Sequence, residues 1–371
     1  MAGQHRQTLA QHSPKHSPLD LEDLMAKARG YAVLAPKANL VPFEFDRREL
    51  RSGDVEIAIS HAGICHSDIH QGREEWGQAI FPMVPGHEIV GRVKSVGSKV
   101  SRFTPGQLVG VGVFIDSCRT CENCQAGLQQ YCLEGMTGTY NTIERDGVSV
   151  AYGGYSNLIV VDENYVVTVP ESLNVAGVAP LMCAGITLYS PLRHWQAGPG
   201  KKVGIIGLGG LGHMGVKFAH AMGAHVTVFS HSERKKADAL GMGADDFIAN
   251  PSDEYFKKNG SSFDLILNTV SVDLDLEKYL SLLALNGTLV LIGLPGKPYQ
   301  VPAGVLLGKR RRLAGSMIGG IPELQEMLNF CGEKGIISDV ELIKPDYINT
   351  AWERTVASDV KYRFVIDTSS L

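Results

Sequence analysis

Two patterns of hydrophobic and polar positions meet near residue 183. Upstream, from about residue 30, short apolar runs at 55–61, 89–96 and 108–113 are punctuated by Gly86, Gly97 and Pro105-Gly106. That pattern predicts strands joined by turns, and so a mostly β unit. Downstream, runs at 202–206, 225–229, 265–268 and 289–292 read as strands. Between them, 211–222 and 233–240 read as helices, and 274–285 carries apolar residues at helical spacing. This βαβ alternation predicts an α/β unit: a parallel sheet with helices on both faces.

A chain of 371 residues with 44% hydrophobic content can supply two cores. A net charge of −4 argues against a nucleic-acid binder. No run of about 18 uncharged apolar residues is present to span a membrane. The basic run Lys309-Arg310-Arg311-Arg312 reads as a solvated loop. Residues 1–28 are polar at first, with His5, His12 and His16 among Gln, Ser and Pro. They have neither an apolar stretch of signal-peptide length nor a small-residue cleavage site. The expectation is a disordered extension on a cytoplasmic protein; a transit peptide and initiation at Met25 are the alternatives.

The strand at 203–206 runs directly into Gly207-Leu208-Gly209-Gly210-Leu211-Gly212, and a helical stretch follows. Among 42 glycines a G-x-G-x-x-G match means little alone; the strand–turn–helix context gives it weight. Gly207 is expected to make the tight turn, Gly209 to admit a pyrophosphate, and Gly212 to let the helix pack closely on the strand. The pyrophosphate would lie against free N–H groups at the helix start. NAD sites carry Asp or Glu at the end of the second strand. Here that place is Ser230, followed by His231, Ser232, Glu233, Arg234 and Lys235. Hydroxyls and cations suit a 2′-phosphate that a carboxylate would repel. The expected cofactor is NADP(H), with Ser230, Ser232, Arg234 and Lys235 at its phosphate.

Four of the seven cysteines fall in Cys118-x2-Cys121-x2-Cys124-x7-Cys132. Without a secretory signal, this spacing predicts reduced thiolates around a closed, structural zinc site. An iron–sulfur cluster would call for the ferredoxin spacing ending in Cys-Pro, and disulfides for an oxidising compartment. Cys65, His87 and Cys183 are dispersed, and each alone reads as packing or as a loop histidine. Jointly, two thiolates and an imidazole supply three zinc ligands and leave one position open.

Together these motifs resemble the medium-chain zinc-dependent alcohol dehydrogenase family, and within it the cinnamyl alcohol dehydrogenase-like branch of NADP-dependent aldehyde reductases. The resemblance rests on residues 63–70, Pro85-Gly86-His87-Glu88, the four-cysteine loop, 207–215 and Val360-Lys361-Tyr362-Arg363-Phe364-Val365. It implies a mostly β, GroES-like catalytic domain from 29–181 and 321–371, around a Rossmann NADP-binding domain at 182–320. It implies two zinc ions per subunit: a structural one in the cysteine loop and a catalytic one on Cys65, His87 and Cys183, within reach of Glu88. Ser67 would start a proton relay that His70 continues, and Asp68 would orient His87. His66 would face the pyrophosphate, and Thr187, Val270, Gly293 and Ser316 resemble further cofactor-contacting positions. The implied reaction is hydride transfer between alcohol and aldehyde, with zinc as Lewis acid, in a homodimer or homotetramer.

The branch carries aromatic pocket residues where this chain has Thr137 and Met317, and Trp76 is bulkier than the aliphatic residue usual at its position. A broad reductase of aliphatic and aromatic aldehydes is therefore expected. An NAD-linked polyol or secondary-alcohol dehydrogenase is the alternative on the same scaffold. A non-catalytic NADPH-binding zinc protein is the alternative of another class.

Overall fold

Alternation of small buried and longer exposed residues makes Lys27–Val33 a strand: Ala28, Gly30 and Ala32 face inward while Lys27 and Arg29 face out. It pairs antiparallel with Leu40–Asp46. The computed structural model describes residues 26–371. It shortens the expected N-terminal extension, because Lys27 and Ala28 already belong to this strand. The rest of that expectation, with His5, His12, His16 and Met25, lies outside the described residues.

A seven-stranded sheet follows the order Val166–Thr168, Leu108–Val111, Ile89–Val96, Asp54–Gly63, Arg363–Asp367, Val340–Ile343, with Leu158–Asp162 also paired to Asp54–Gly63. Its pairs are antiparallel except Val340–Ile343 with Arg363–Asp367. A strand from the chain's last residues thus sits beside one from its first quarter. The strand expected over 108–113 is two strands, Leu108–Val111 and Phe114–Asp116. The break falls at Gly112, where a Cβ would stand 3.0 Å from the Met182 carbonyl oxygen.

The second sheet holds six parallel strands: Lys202–Ile206, His225–Ser230, Asp246–Ala249, Phe263–Asn268, Leu283–Leu291 and Arg312–Gly315. Numbered along the chain, they lie in the order 3-2-1-4-5-6, the doubly wound arrangement that puts a crevice at the carboxyl ends of the strands. The helix expected over 274–285 spans only Leu276–Ser281, and the next strand begins at Leu283. Leu282 and Leu283 are fully buried, and a short apolar run fits either element until its pairing partner is known. The stretch expected as helix 233–240 is a 3-10 turn, Glu233–Lys235, followed by the helix Lys236–Gly241.

One apolar core runs through both sheets, joining Val90 and Val111 to Leu188, Val203, Ile205 and Leu324. Among the basic residues 309–312, Arg311 is not solvated as expected. Its guanidinium donates to the carbonyls of Leu283, Val305 and Ser281 and so braces the fifth parallel strand. No single helix among the described residues is long and apolar enough to cross a membrane.

Candidate active site and metal centres

Cys65 ends the approach from Asp54–Gly63 and caps the helix His66–Gly72. Its backbone N–H donates to Asp68 Oδ2 at 2.9 Å, the backward half of a capping box. Asp68, fully buried, also accepts from the N–H of Gly86 at 3.1 Å and the hydroxyl of Tyr155 at 3.0 Å. Its Oδ1 lies 3.3 Å from Nδ1 of His87. With Nδ1 held there, His87 turns Nε2 inward, where that buried nitrogen has no hydrogen-bond partner. The ring of Tyr140 stacks on His87 with centroids 5.7 Å apart.

Cys183 stands at the break between the 3-10 turn Ala179–Met182 and the helix Ala184–His194. It meets Cys65, His87 and Glu88 so closely that one donor atom from each lies within 4.8 Å of the others. A hydrogen bond with Cys183 draws the Cys65 thiol well below its usual value, against burial, while Arg363 and His87 add to the effect. The same bond and burial push Cys183 well above its own. Burial opposes charge on His87, but Asp68 and Cys65 outweigh it and raise the imidazole. Burial lifts Glu88 to about 7 against the pull of Arg363. Glu88 Oε1 accepts from Arg363, whereas Oε2 has no partner. A dry pocket of two sulfurs, an orphaned imidazole nitrogen and an orphaned carboxylate oxygen fits a divalent cation, which supplies the charge that the donors lack.

Ser67 Oγ lies 3.5 Å from Cys65 Sγ. His70, the expected next relay member, makes no hydrogen bond to Ser67 among the described residues. It directs Nδ1 to Glu75 Oε2 at 2.5 Å and stacks on Trp76 at 4.7 Å. Glu75 was not singled out in the sequence, although it lies five residues from His70 on the far side of a helix end. Trp76 and Met317 are both half exposed, and Met317 donates its N–H to Tyr131. Thr137 is buried in a short strand and lines a separate charged cavity with Arg48, Asp116 and Glu144.

The glycine-rich turn forms as expected at Gly207, whose φ is +91°. Gly212, which opens the helix, lies close against the strand ends: a Cβ there would stand 2.0 Å from the Gly207 carbonyl oxygen and 3.3 Å from Thr269 Oγ1. Gly215 packs closely in the same way, against Leu188 and Ile205. Gly209 faces open space. Gly209 and Gly210 border a cavity of about 90 Å³ with His66, Lys235 and Arg363. Lys235 donates to the Leu208 carbonyl at 2.8 Å. The N–H of Ser232 donates to Ser230 Oγ at 3.3 Å, and Arg234 Nε donates to Ser232 Oγ at 3.3 Å. Val270, Gly293 and Ser316 follow the carboxyl ends of the fourth, fifth and sixth parallel strands, where nucleotide ligands bind in such sheets. Thr187 lies one helical turn beyond Cys183 and donates its N–H to that residue's carbonyl at 3.0 Å.

The cysteine loop closes on itself. Cys118, Cys121, Cys124 and Cys132 bring their sulfurs within 4.8 Å of one another, and all are free thiols. The N–H of Cys121 lies 3.3 Å from Cys118 Sγ, and such donors draw the Cys118 thiol down to about 6. Four sulfurs with amide support fit a structural zinc site.

A doubly wound sheet with a glycine-rich first turn, together with a buried cluster of thiol, imidazole and carboxylate donors, is the architecture of a dinucleotide-dependent metal oxidoreductase. Family models agree. Residues 51–171 match an alcohol dehydrogenase GroES-like domain, and 210–333 match a zinc-binding dehydrogenase. The chain is 58% identical over 348 residues to NADP-dependent alcohol dehydrogenase C 1 of Mycolicibacterium smegmatis, covering 94% of this chain and 99% of that one. It is 52% identical over 348 residues to the aldehyde reductase YahK of Escherichia coli, covering 93% and 99%. The solved structure of a Helicobacter pylori cinnamyl alcohol dehydrogenase complexed with NADP(H) aligns with a TM-score of 0.87 at 42% identity, covering 93% and 99%. The chain belongs to the zinc-binding alcohol dehydrogenase family, with a GroES-like domain and a Rossmann-type nucleotide-binding domain.

Proposed function

We propose that this protein is a zinc-dependent NADP(H) oxidoreductase interconverting primary alcohols and aldehydes, with a broad aliphatic and aromatic range. The observation that carries the proposal is the four-donor cluster of Cys65, His87, Glu88 and Cys183, with unpaired nitrogen and oxygen atoms turned into it. We assign the catalytic domain to 29–181 and 321–371, the dinucleotide domain to 182–320, and the protein to the cytoplasm as a homodimer or homotetramer. The relatives named NADP-dependent alcohol dehydrogenase and aldehyde reductase support the substrate and cofactor classes.

When bound, the zinc supplies Lewis acidity and the dinucleotide the two-electron exchange. Cys65, His87 and Cys183 hold the metal, with Glu88 able to approach through Oε2, and Asp68 fixes the His87 tautomer. Ser67 Oγ would take the substrate proton as its own hydroxyl proton leaves through a bridging water or cofactor hydroxyl to His70, which would hand a proton from Nδ1 to Glu75 Oε2 at the solvent side. The amides of the 207–212 turn hold the pyrophosphate, with His66 and Arg363 on the opposite wall. Ser230, Ser232, Arg234 and Lys235 hold the 2′-phosphate. Thr187, Val270, Gly293 and Ser316 border the nicotinamide half.

The test is steady-state oxidation of NADPH, and separately NADH, over a small aldehyde panel with wild type and Cys183→Ala. Preference for NADPH, turnover of several aldehydes and a loss of at least about a thousandfold in the variant are expected, since several kcal/mol of transition-state stabilisation go with the metal. NADPH binding by zinc-loaded wild type without reduction of any aldehyde overturns the enzyme assignment.

A further inference from the structure

Behind the ligand His87 stands a chain of buried groups that continues past Asp68. Tyr155 is 1% exposed, and its hydroxyl donates to Asp68 Oδ2 at 3.0 Å. The same hydroxyl accepts from the indole N–H of Trp352 at 3.4 Å, in the helix Ile348–Val356. Both rings press on the segments that carry the ligands. A Cβ on Gly86, the residue before His87, would lie 2.6 Å from Tyr155 Cδ1. A Cβ on Gly72, which ends the helix begun at Cys65, would lie 3.0 Å from the Trp352 ring. The two segments are thus fitted to these two rings, and one hydrogen-bond chain runs from Trp352 through Tyr155 and Asp68 to His87.

We propose that Tyr155 and Trp352 are positioning residues for the catalytic zinc site. The Asp68 carboxyl has four buried groups around it: the N–H of Cys65, the N–H of Gly86, His87 Nδ1 and the Tyr155 hydroxyl. The Tyr155 hydroxyl, pinned by the indole, fixes the carboxylate plane, and that plane fixes the imidazole. Through Trp352, a helix near the chain's end shares in setting a ligand that lies in its first quarter. This rests on the metal assignment made above.

Tyr155→Phe keeps the ring and removes only the hydroxyl, and Trp352→Phe removes the indole N–H at the cost of a smaller ring. Neither residue is a proposed ligand. Zinc release to a chelator is followed with both ions counted per chain, and the visible spectrum is recorded after cobalt replaces the catalytic ion. Tyr155→Phe is expected to lose one of its two zinc ions about 10–100-fold faster than wild type and to shift the cobalt bands, while the cysteine-loop ion stays. Trp352→Phe should move both readouts the same way by less, and carries the test alone if Tyr155→Phe does not fold. Wild-type release rates and bands in the folded variants overturn the proposal. Cys183→Ala serves as the control: if it retains two zinc ions, the metal assignment itself fails.

Discussion

The guanidinium of Arg363 lies against the Glu88 carboxylate with both side chains sealed from solvent, 6% and 0% exposed. Neither has water to fall back on, so each depends on the other. Arg363→Met should cost about 3–5 kcal/mol of unfolding free energy, because it strands a buried carboxylate. Glu88→Gln in the same chain should return part of that loss by removing the charge. Denaturant unfolding of the single and double variants measures both effects.

His70 and Glu75 meet at the rim of the site. Removing a positioned acid–base group costs about a hundredfold or more. His70→Gln should lower kcat for alcohol oxidation by about that factor at pH 7. Glu75→Gln keeps the shape and the hydrogen bond but loses the charge, so a smaller drop is expected. Solvent buffers that accept protons should restore more of the rate in these variants than in wild type.

Cofactor choice falls on the end of the second parallel strand. Ser230→Asp sets a carboxylate where the 2′-phosphate would lie, and it should raise KM for NADPH by about 10–100-fold through lost charge-assisted bonds. KM for NADH should fall or hold. Initial rates with each cofactor decide the matter, and an unchanged NADPH KM would move the phosphate site elsewhere.

His213 is buried beneath the glycine-rich turn, with Nδ1 3.1 Å from the Gly209 carbonyl and Nε2 2.9 Å from Ser338 Oγ. Burial, with Lys217 adding to it, lowers its pKa to about 3 from 6.5. As pH falls below 6.5 the unfolded chain takes up a proton at this position that the folded chain refuses. Its contribution is therefore full above that pH and is lost progressively on the way down to about 3. Stability of His213→Gln should decline less steeply between pH 6 and 4, by up to about 1.4 kcal/mol per pH unit. Urea titrations at stepped pH would reveal the difference in slope.

What the sequence made legible was local. The turn at Gly207, the cysteine loop and the strand–helix alternation are each written within some 20 residues, so periodicity and spacing reveal them. Cys65, His87 and Cys183 are scattered along the chain and gained weight only jointly, from their donor chemistry and the resemblance, and they do converge. The groups missed are those whose meaning depends on a distant partner. Arg363 is 275 residues from its partner Glu88, and Tyr155 and Trp352 are 197 apart. The run 274–285 misled because burial, not period, decided where helix gave way to strand.

The strand Arg363–Asp367 lies between Asp54–Gly63 and Val340–Ile343, and Thr368 reaches back 309 residues to bond the Ile59 carbonyl. Synthesis therefore delivers the pieces out of step. The parallel sheet from Lys202 to Gly315 has all its strands while the ligand-bearing sheet still lacks a central one. Until the final strand arrives, Asp54–Gly63 presents part of an open edge of backbone donors and acceptors, the kind of surface that recruits unwanted partners. A nascent chain can thus complete its nucleotide sheet while the ligand-bearing sheet still waits for Arg363–Asp367.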